Sequence, residues 1–361
     1  MKKKRVFAVL GMCMVLTMGL IGCGGSQEDD IGQNVSEVAN DTSERIEATD
    51  KTEGKTEEEN QTASYPLSVE NFNQTTVYEK APEKVIALSY SSAELLTALG
   101  LEESVIAIYQ SSNTVDEVLP EYQEAVKTIP VPESINSGGA PTLENMLALE
   151  GDMIVSQSYF YNLAAFGTME DYKTNGVNIY VPEGTYVLGA DMENVYTDIR
   201  NFGNIFGVQE RAEELITDMQ AQIAEVTTAI EGKDSVKVMV FDSEMNGSIY
   251  TAGGGSLENS LIKLAGGENV FADLEEQFTS IAIEEIISRN PEVIVINDYG
   301  ALTAEEKIEY LKGLEELSEV DAIKNDRFVS IPFFSVMPGV QNADVVKAIA
   351  SELYPDVFTA E

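Results

Sequence analysis

Short apolar runs and segments with helical spacing alternate along most of the chain. The run at 84–89 predicts a buried strand, and the run at 105–109 predicts a second strand after a helix at 91–99. Ser91 and Glu94 have the spacing of a capping box, which we expect to begin that helix. Strands that alternate with helices form βαβ units with mostly parallel sheets, so the pattern predicts an α/β fold.

The pattern occurs twice. Residues 283–295 align with residues 143–155 without a gap, and both segments predict a short helix followed by a strand. The run at 237–241 likewise resembles the strand at 84–89. A pattern repeated within one chain indicates a repeated structural unit. We therefore expect two similar lobes, each a mostly parallel sheet flanked by helices.

The segment between the two repeats contains no strand pattern. Met219, Ile223 and Val226 recur at helical spacing, which predicts one amphipathic helix or two in sequence. A 24-residue helix from Val208 would span about 36 Å and would connect the lobes rigidly. The alternative is that the helix belongs entirely to one lobe. The predicted domains are an N-terminal lobe at 65–191, an interlobe helix at 192–232 and a C-terminal lobe at 233–361.

The N-terminus resembles a secretory signal peptide at residues 1–22. A positive segment at 2–5 precedes an apolar run at 6–21, which is short for a membrane span of roughly 20 residues. Gly22 and Cys23 then match the lipobox of bacterial lipoproteins. Cys23 is therefore predicted to carry lipid and to hold the protein on the outer face of the cytoplasmic membrane. The alternative is an ordinary signal peptide with an incidental cysteine.

Composition and charge predict an N-terminal linker and exclude several classes of function. Residues 23–64 are rich in acidic and small polar residues, so we expect a disordered, lipid-anchored linker. The chain has 62 Asp and Glu against 22 Lys and Arg, a net charge of −40, which argues against nucleic acid as a ligand. The absence of His excludes Ser-His-Asp and Cys-His hydrolases and His-ligated zinc. No feature indicates an obligate oligomer, and we expect a monomer.

Several motifs, in this order, are similar to those of the iron-siderophore and cobalamin family of ABC-transporter substrate-binding proteins. They are APEKVIALS at 81–89, AELLTALG at 93–100, the segment 143–155, and LAGGENV at 264–270. The resemblance covers about residues 65–355 and implies a class III periplasmic-binding-protein fold. It also implies a non-enzymatic protein, without a cofactor or directly bound metal, that captures a metal chelate or corrinoid. Such a protein delivers its ligand to a permease dimer that a separate ATPase drives.

The carboxyl ends of the predicted strands indicate where the ligand binds. In open α/β sheets, ligands lie beyond these ends. Aromatic residues, Met and hydroxyls there suit a large, partly apolar ligand, although single members can be ordinary core or loop residues. The predicted ligand-binding residues are Tyr90, Ser91, Tyr109, Tyr159, Tyr161, Glu244, Met245, Tyr299, Phe333, Phe334 and Met337.

The positions of the cations favour a neutral or cationic ligand. Lys84 and Lys237 begin strands, and a highly anionic catecholate chelate would be desolvated without partners unless Lys173 or Arg200 enters the cleft. We therefore expect a ferric hydroxamate-type chelate or a corrinoid. Haem is an alternative, since Tyr159 could ligate iron. A function of another class, a lipid-anchored hydrolase with paired carboxylates, has no motif to support it.

Glu144 and Glu284 occupy equivalent places in the two repeats. Each stands at the start of a short predicted helix, where a carboxylate is favourable and can be a simple capping residue. The family resemblance implies a further role, in which one glutamate of each lobe pairs with arginines of the permease dimer.

Replacement of Cys23 tests the predicted anchor. Cys23→Ala should yield an unprocessed or released protein, because the lipidated sulfur is lost, whereas Cys13→Ala should behave as the parent does. Membrane fractionation and incorporation of a labelled fatty acid measure both effects. Equal labelling of Cys23→Ala and the parent would show that the lipobox interpretation is wrong.

Overall fold

The computed structural model describes residues 64–110, 114–245 and 247–358. The predicted signal peptide, Cys23 and the predicted linker up to residue 63 lie outside the described residues. No helix in the described part is long and apolar enough to cross a membrane.

The N-terminal lobe is built on a four-stranded parallel sheet that a short antiparallel hairpin precedes. Its strands are β1 (Leu67–Asn71), β2 (Gln74–Tyr78), β3 (Val85–Ala87), β4 (Val105–Ile108), β5 (Met153–Val155) and β6 (Asn178–Tyr180). The order across the parallel sheet is β4-β3-β5-β6. All three residues of β3 and all three of β5 are buried, as expected for central strands covered on both faces.

The described residues of this lobe form five α-helices. They are α1 (Tyr90–Ala98), α2 (Pro120–Val126), α3 (Glu133–Asn136), α4 (Leu143–Leu147) and α5 (Met169–Thr174). Side chains fix several of their N-termini: Thr142 accepts from the Asn145 amide and Thr168 from the Asp171 amide. Gly100, with φ of 67°, follows α1 and ends it as predicted.

Two helices occupy the segment between the lobes, α6 (Met192–Phe206) and α7 (Gln209–Ala229). Gly207 separates them in the left-handed region, with φ of 73°. The segment 192–232 therefore forms two helices in sequence, the second of the two predicted possibilities, and not one continuous helix. The 21 residues of α7 span about 31 Å.

The C-terminal lobe contains a second four-stranded parallel sheet and a three-stranded antiparallel sheet. Its strands are β7 (Val236–Phe241), β8 (Ser243–Met245), β9 (Ser248–Ala252), β10 (Gly267–Asn269), β11 (Phe278–Ile281), β12 (Val293–Asp298) and β13 (Phe328–Pro332). Its helices are α8 (Leu257–Leu264), α9 (Ile283–Arg289), α10 (Ala304–Lys312), α11 (Asp321–Lys324), α12 (Phe333–Val336), α13 (Asn342–Leu353) and α14 (Pro355–Phe358).

The two parallel sheets have the same strand order. The second sheet runs β10-β7-β12-β13, so that in both lobes the first strand lies between the second and the third, with the fourth at the edge. The repeat visible in the sequence therefore corresponds to two copies of one sheet topology. The predicted α/β fold with two similar lobes of parallel sheet is confirmed.

Helix α7 contacts both lobes. Arg211 at its N-terminal end donates from Nη1 to the carbonyl of Leu99, 2.6 Å away, at the C-terminus of α1. Its buried face, which includes Ile216 and Met219, packs into one continuous apolar cluster that also contains residues of β3, β7 and α13. The alternative that this helix belongs entirely to one lobe does not hold.

The lobes also meet directly through α1. Ser91 Oγ donates to the carbonyl of Pro338 at 3.0 Å. The side-chain Nε2 of Gln341 donates to both carboxylate oxygens of Glu94, each at 3.0 Å. The predicted capping box of Ser91 and Glu94 is wrong. Ser89 is the N-cap instead, accepting from the Ser92 amide, so the other two side chains are free to form interlobe contacts.

Glu94 is a carboxylate buried in this interface, only 1% exposed. Burial raises its pKa to about 7, although hydrogen bonds from the Leu119 amide and from Gln341 oppose the shift. A carboxyl whose pKa is higher in the folded state stabilises the fold below its unfolded pKa, and that stability is lost as the pH rises through 7.

Glu94→Gln should therefore remove part of the pH dependence of stability. Between about pH 5 and pH 7.5, the free energy of unfolding of the parent should fall by about 2.5 kcal/mol through this group. Urea denaturation across that range measures the slope for the parent, for Glu94→Gln and for Glu144→Gln, a control at an exposed site. Identical slopes for Glu94→Gln and the parent would contradict the assignment.

Candidate functional site

A cavity of about 700 Å³ lies between the two lobes. Its N-terminal wall follows the carboxyl ends of β5 and β6, and part of its C-terminal wall follows β13. This is the place where open α/β sheets bind ligands. The lining residues are Gln157, Ser158, Tyr159, Asn162, Gly184, Thr185, Leu188, Ser256, Leu257, Glu258, Glu275, Glu276, Gln277, Phe278, Phe333, Val336, Met337 and Pro338.

The wall formed by the N-terminal lobe, here called the N-terminal wall, begins with a tight turn after β5. Ser158 Oγ donates to the carbonyl of Thr185 at 2.6 Å, which ties this turn to the one after β6. The ring of Tyr159 stacks on the buried ring of Phe160 at 4.4 Å between centroids and stays half exposed. Burial of its hydroxyl raises the pKa of Tyr159 to about 12, so the phenol is neutral at physiological pH.

The C-terminal wall is aromatic. Phe333 begins α12 directly after β13, and its ring lies 4.4 Å from that of Tyr299 and 6.4 Å, edge-on, from that of Phe278. Met337 follows α12 and completes this apolar surface. Such a surface can bury the apolar face of a large ligand.

The glycine-rich loop at 253–255 packs against the backbone of the segment that lines the cavity. A Cβ at Gly254 would lie 2.1 Å from the carbonyl oxygen of Ala272, so only glycine allows this approach. The amides of the loop donate to the carbonyls of Gln277, Leu274 and Glu276. The loop therefore has a structural role, because its N–H groups are already engaged and cannot cradle a phosphate.

A buried polar network lies behind the C-terminal wall. The Tyr299 hydroxyl donates to Asp242 Oδ2 at 2.7 Å, and Asn297 Nδ2 lies 3.2 Å from Asp242 Oδ1 and 3.1 Å from Glu258 Oε2. Lys307 Nζ donates to the backbone carbonyls of Asp242 and Asn297. The hydroxyl of Tyr299 is thus engaged inside the protein.

The charge of the cavity is negative. Its described lining includes three glutamates, at 258, 275 and 276, and neither Lys nor Arg. Arg200 forms an ion pair with Glu213 at 2.9 Å, and Lys173 is exposed on α5, so neither enters the cavity. The lining therefore offers no cationic side chain to an anionic ligand.

Three of the predicted ligand-binding residues line the cavity: Tyr159, Phe333 and Met337. Two others lie just behind its walls. Tyr109 packs edge-on against Phe160 at 5.7 Å, and Tyr299 packs against Phe333 in a tilted arrangement.

The other predicted residues are not in the lining. Tyr90 and Phe334 are buried in the core, and Ser91 makes the interlobe hydrogen bond described above. The hydroxyl of Tyr161 pairs with Ser156 at 2.9 Å. The remaining two, Glu244 and Met245, belong to β8 of the antiparallel sheet, away from the cavity.

Sequence reasoning missed most of the remaining lining. Gln157 and Ser158 lie just after β5, so the expectation that ligands bind at the carboxyl ends of parallel strands could have included them. The segment 275–278 leads into β11, whose first residue is Phe278, and Glu258 lies at the start of α8, so neither is at the carboxyl end of a parallel strand. Their place in the cavity depends on the packing of the glycine-rich loop.

Glu144 and Glu284 are both exposed and take the second position of α4 and α9. Their equivalence in the repeat therefore extends to local structure. The described residues contain no group of three or more acidic side chains arranged to hold a metal ion.

Residues 85–333 match the protein family described as Periplasmic binding protein. The chain belongs to this family. Substrate-binding lipoprotein YvrC of Bacillus subtilis strain 168, an uncharacterized ABC transporter protein, is 22% identical over 82% of this chain and 88% of its own length. The vitamin B12-binding protein of Pectobacterium carotovorum is 24% identical over 60% of this chain and 71% of its own length.

Solved structures show the same periplasmic binding protein fold. A periplasmic binding protein from Veillonella parvula is similar with a TM-score of 0.71 and 24% identity, over 80% of this chain and 97% of that one. A protein of an Fe3+-hydroxamate transport system from Saccharomonospora viridis gives a TM-score of 0.69 and 21% identity, over 80% and 99%.

Proposed function

We propose that this protein is the extracytoplasmic substrate-binding component of an ABC importer for an iron(III) hydroxamate-type chelate or a corrinoid. The observation that carries the proposal is the interlobe cavity, which is lined by aromatic and amide side chains and has no cation in its described lining. A volume of about 700 Å³ lies within the range of pockets that enclose one small-molecule ligand.

The charge of the cavity favours these ligands over anionic chelates. A trianionic catecholate would lose its hydration shell beside two exposed glutamates, at 275 and 276, with no cationic partner in the described lining to compensate. A ferric trihydroxamate or a cobalamin carries little or no negative charge and presents a large apolar surface. Relatives named as vitamin B12-binding proteins support the corrinoid alternative.

Haem fits the cavity less well than these ligands do. Its propionates are anionic, and the described lining contains no Lys or Arg to receive them. Tyr159 is the side chain in the lining that could ligate iron, and burial, which raises the pKa of its phenol, adds to the cost of forming the phenolate.

We also propose that Cys23 carries the lipid anchor. The similarity to a Bacillus subtilis protein named as a lipoprotein supports this proposal. The other components of the proposed importer would be a permease dimer and a separate ATPase. The protein itself would act as a monomer and would not catalyse a reaction.

Titration calorimetry with a ligand panel tests the function. Ferrioxamine B, a ferric trihydroxamate, or cyanocobalamin should bind tightly, whereas ferric enterobactin, a tris-catecholate, should not. Tyr159→Ala should weaken binding about 10-fold or more through loss of the exposed ring, while Met245→Ala, an exposed control outside the cavity, should not. Binding of the catecholate alone, or turnover of any ligand, would overturn the proposal.

We further propose that Glu144 and Glu284 dock the protein on its permease. Two exposed carboxylates at equivalent positions of the two lobes suit a two-fold symmetric partner and would fix the orientation of docking.

The double variant Glu144→Ala, Glu284→Ala should abolish uptake of the bound ligand into cells and leave the dissociation constant unchanged. A double replacement of Glu305 and Glu309, on exposed positions of α10, is the matched control. Normal transport by the first double variant would show that these residues do not dock the permease.

A further inference from the structure

Glu258 is a carboxyl group that the fold leaves incompletely satisfied. It is the second residue of α8, it lines the cavity, and it is 2% exposed. Its Oε2 atom accepts from Asn297 Nδ2 at 3.1 Å, while its Oε1 atom is buried without a hydrogen-bond partner among the described residues. A buried polar atom without a hydrogen-bond partner costs about 1–3 kcal/mol, whether the carboxyl is charged or protonated, so the arrangement requires an explanation.

The neighbouring cation and hydroxyl do not supply the missing partner, and Oδ1 of the adjacent Asn297 is likewise buried without a hydrogen-bond partner among the described residues. The cation closest to the network, Lys307, directs its ammonium to the backbone carbonyls of Asp242 and Asn297 and to the face of the Tyr299 ring at 4.4 Å. The Tyr299 hydroxyl donates to Asp242. Glu258 is therefore a carboxyl at the wall of a cavity whose described lining has no cation to compensate it.

A second unpartnered acceptor lines the same cavity from the other lobe. Oε1 of Gln157, a residue 4% exposed, is buried without a hydrogen-bond partner in the described part of the chain. An alkylammonium group has three N–H donors and no acceptor, so it matches a cavity whose lining carries unpartnered oxygens. The rings of Tyr159 and Phe333 in the lining add faces that attract a cation.

The raised pKa of Glu258 is consistent with a site that binds a cation. Burial raises its pKa to about 8, the hydrogen bond from Asn297 opposes this rise, and the charge of Asp242 adds to it. The other titratable side chains nearby are Tyr299 and Lys307 in the network and Glu275 and Glu276 in the lining. An ammonium beside Glu258 would favour the carboxylate, and the proton would leave to solvent as the ligand binds.

We propose that Glu258 forms an ammonium-binding subsite, so that the natural ligand carries a positively charged amine on its chelate or corrin framework. This inference rests on the proposed function, because it names a group on the ligand of that same cavity. It adds that the cavity selects a cationic ligand over a neutral one of the same shape.

A matched pair of ferric trihydroxamates tests the subsite. Ferrioxamine B carries a pendant primary ammonium, and N-acetyl-ferrioxamine B is the same chelate with that charge removed. Titration calorimetry on the full protein should show ferrioxamine B binding about 10- to 100-fold more tightly, as expected for a charge-assisted hydrogen bond in a buried site. In Glu258→Gln, which preserves shape and removes the charge, the two should bind within about threefold.

Controls separate the subsite from the general charge of the cavity and from the proposed function. Glu275→Gln, an exposed lining residue, should retain the preference, and matching melting temperatures would show that each variant is folded. Equal binding of the two ferrioxamines by the parent would overturn the subsite and leave the proposed function standing. Binding of cyanocobalamin with neither ferrioxamine would also overturn it, whereas binding of no member of the panel would overturn both.

Discussion

One apolar core runs from the first parallel sheet through α6 and α7 to the second sheet, and it holds the two lobes in a fixed relation. Arg211 fastens the start of α7 to the end of α1, and Gln341 joins Glu94 across the interface. The lobes also approach closely at the cavity: a Cβ on Gly184 would lie 2.5 Å from Pro338 Cγ, and both residues line the cavity. The cavity is therefore shaped before the ligand arrives, which lowers the ordering cost of binding.

Within this rigid frame, electrostatics determines what the cavity can accept. The net charge of −40 disfavours polyanions, and the described lining of the cavity contains three carboxyl groups and no cation. Aromatic rings at 159, 278 and 333 supply the apolar area. In the proposed function, shape and apolar contact therefore favour a large ligand, while the charge of the lining disfavours an anionic one.

The sequence alone predicted the fold well because the fold rests on local patterns that occur twice. The alignment of 143–155 with 283–295 corresponds to two sheets of identical strand order. The same local logic failed at α1, where Ser91 and Glu94 imitate a capping box but serve the other lobe, since Ser89 caps the helix. Strand ends located Tyr159 and Phe333, whereas Glu258 lines the cavity through packing between segments distant in sequence.

The claim that the lobes are rigidly held is tested most directly by a distance across them with and without ligand. Residues 64–361 contain no Cys. Spin labels at Glu144→Cys and Glu284→Cys, in a variant with Cys13 and Cys23 replaced by Ser, therefore report one interlobe distance by pulsed electron paramagnetic resonance. The account predicts a single narrow distribution that shifts by less than about 2 Å on saturation with the ligand that binds. A broad distribution without ligand, or a shift well beyond that value, would contradict it.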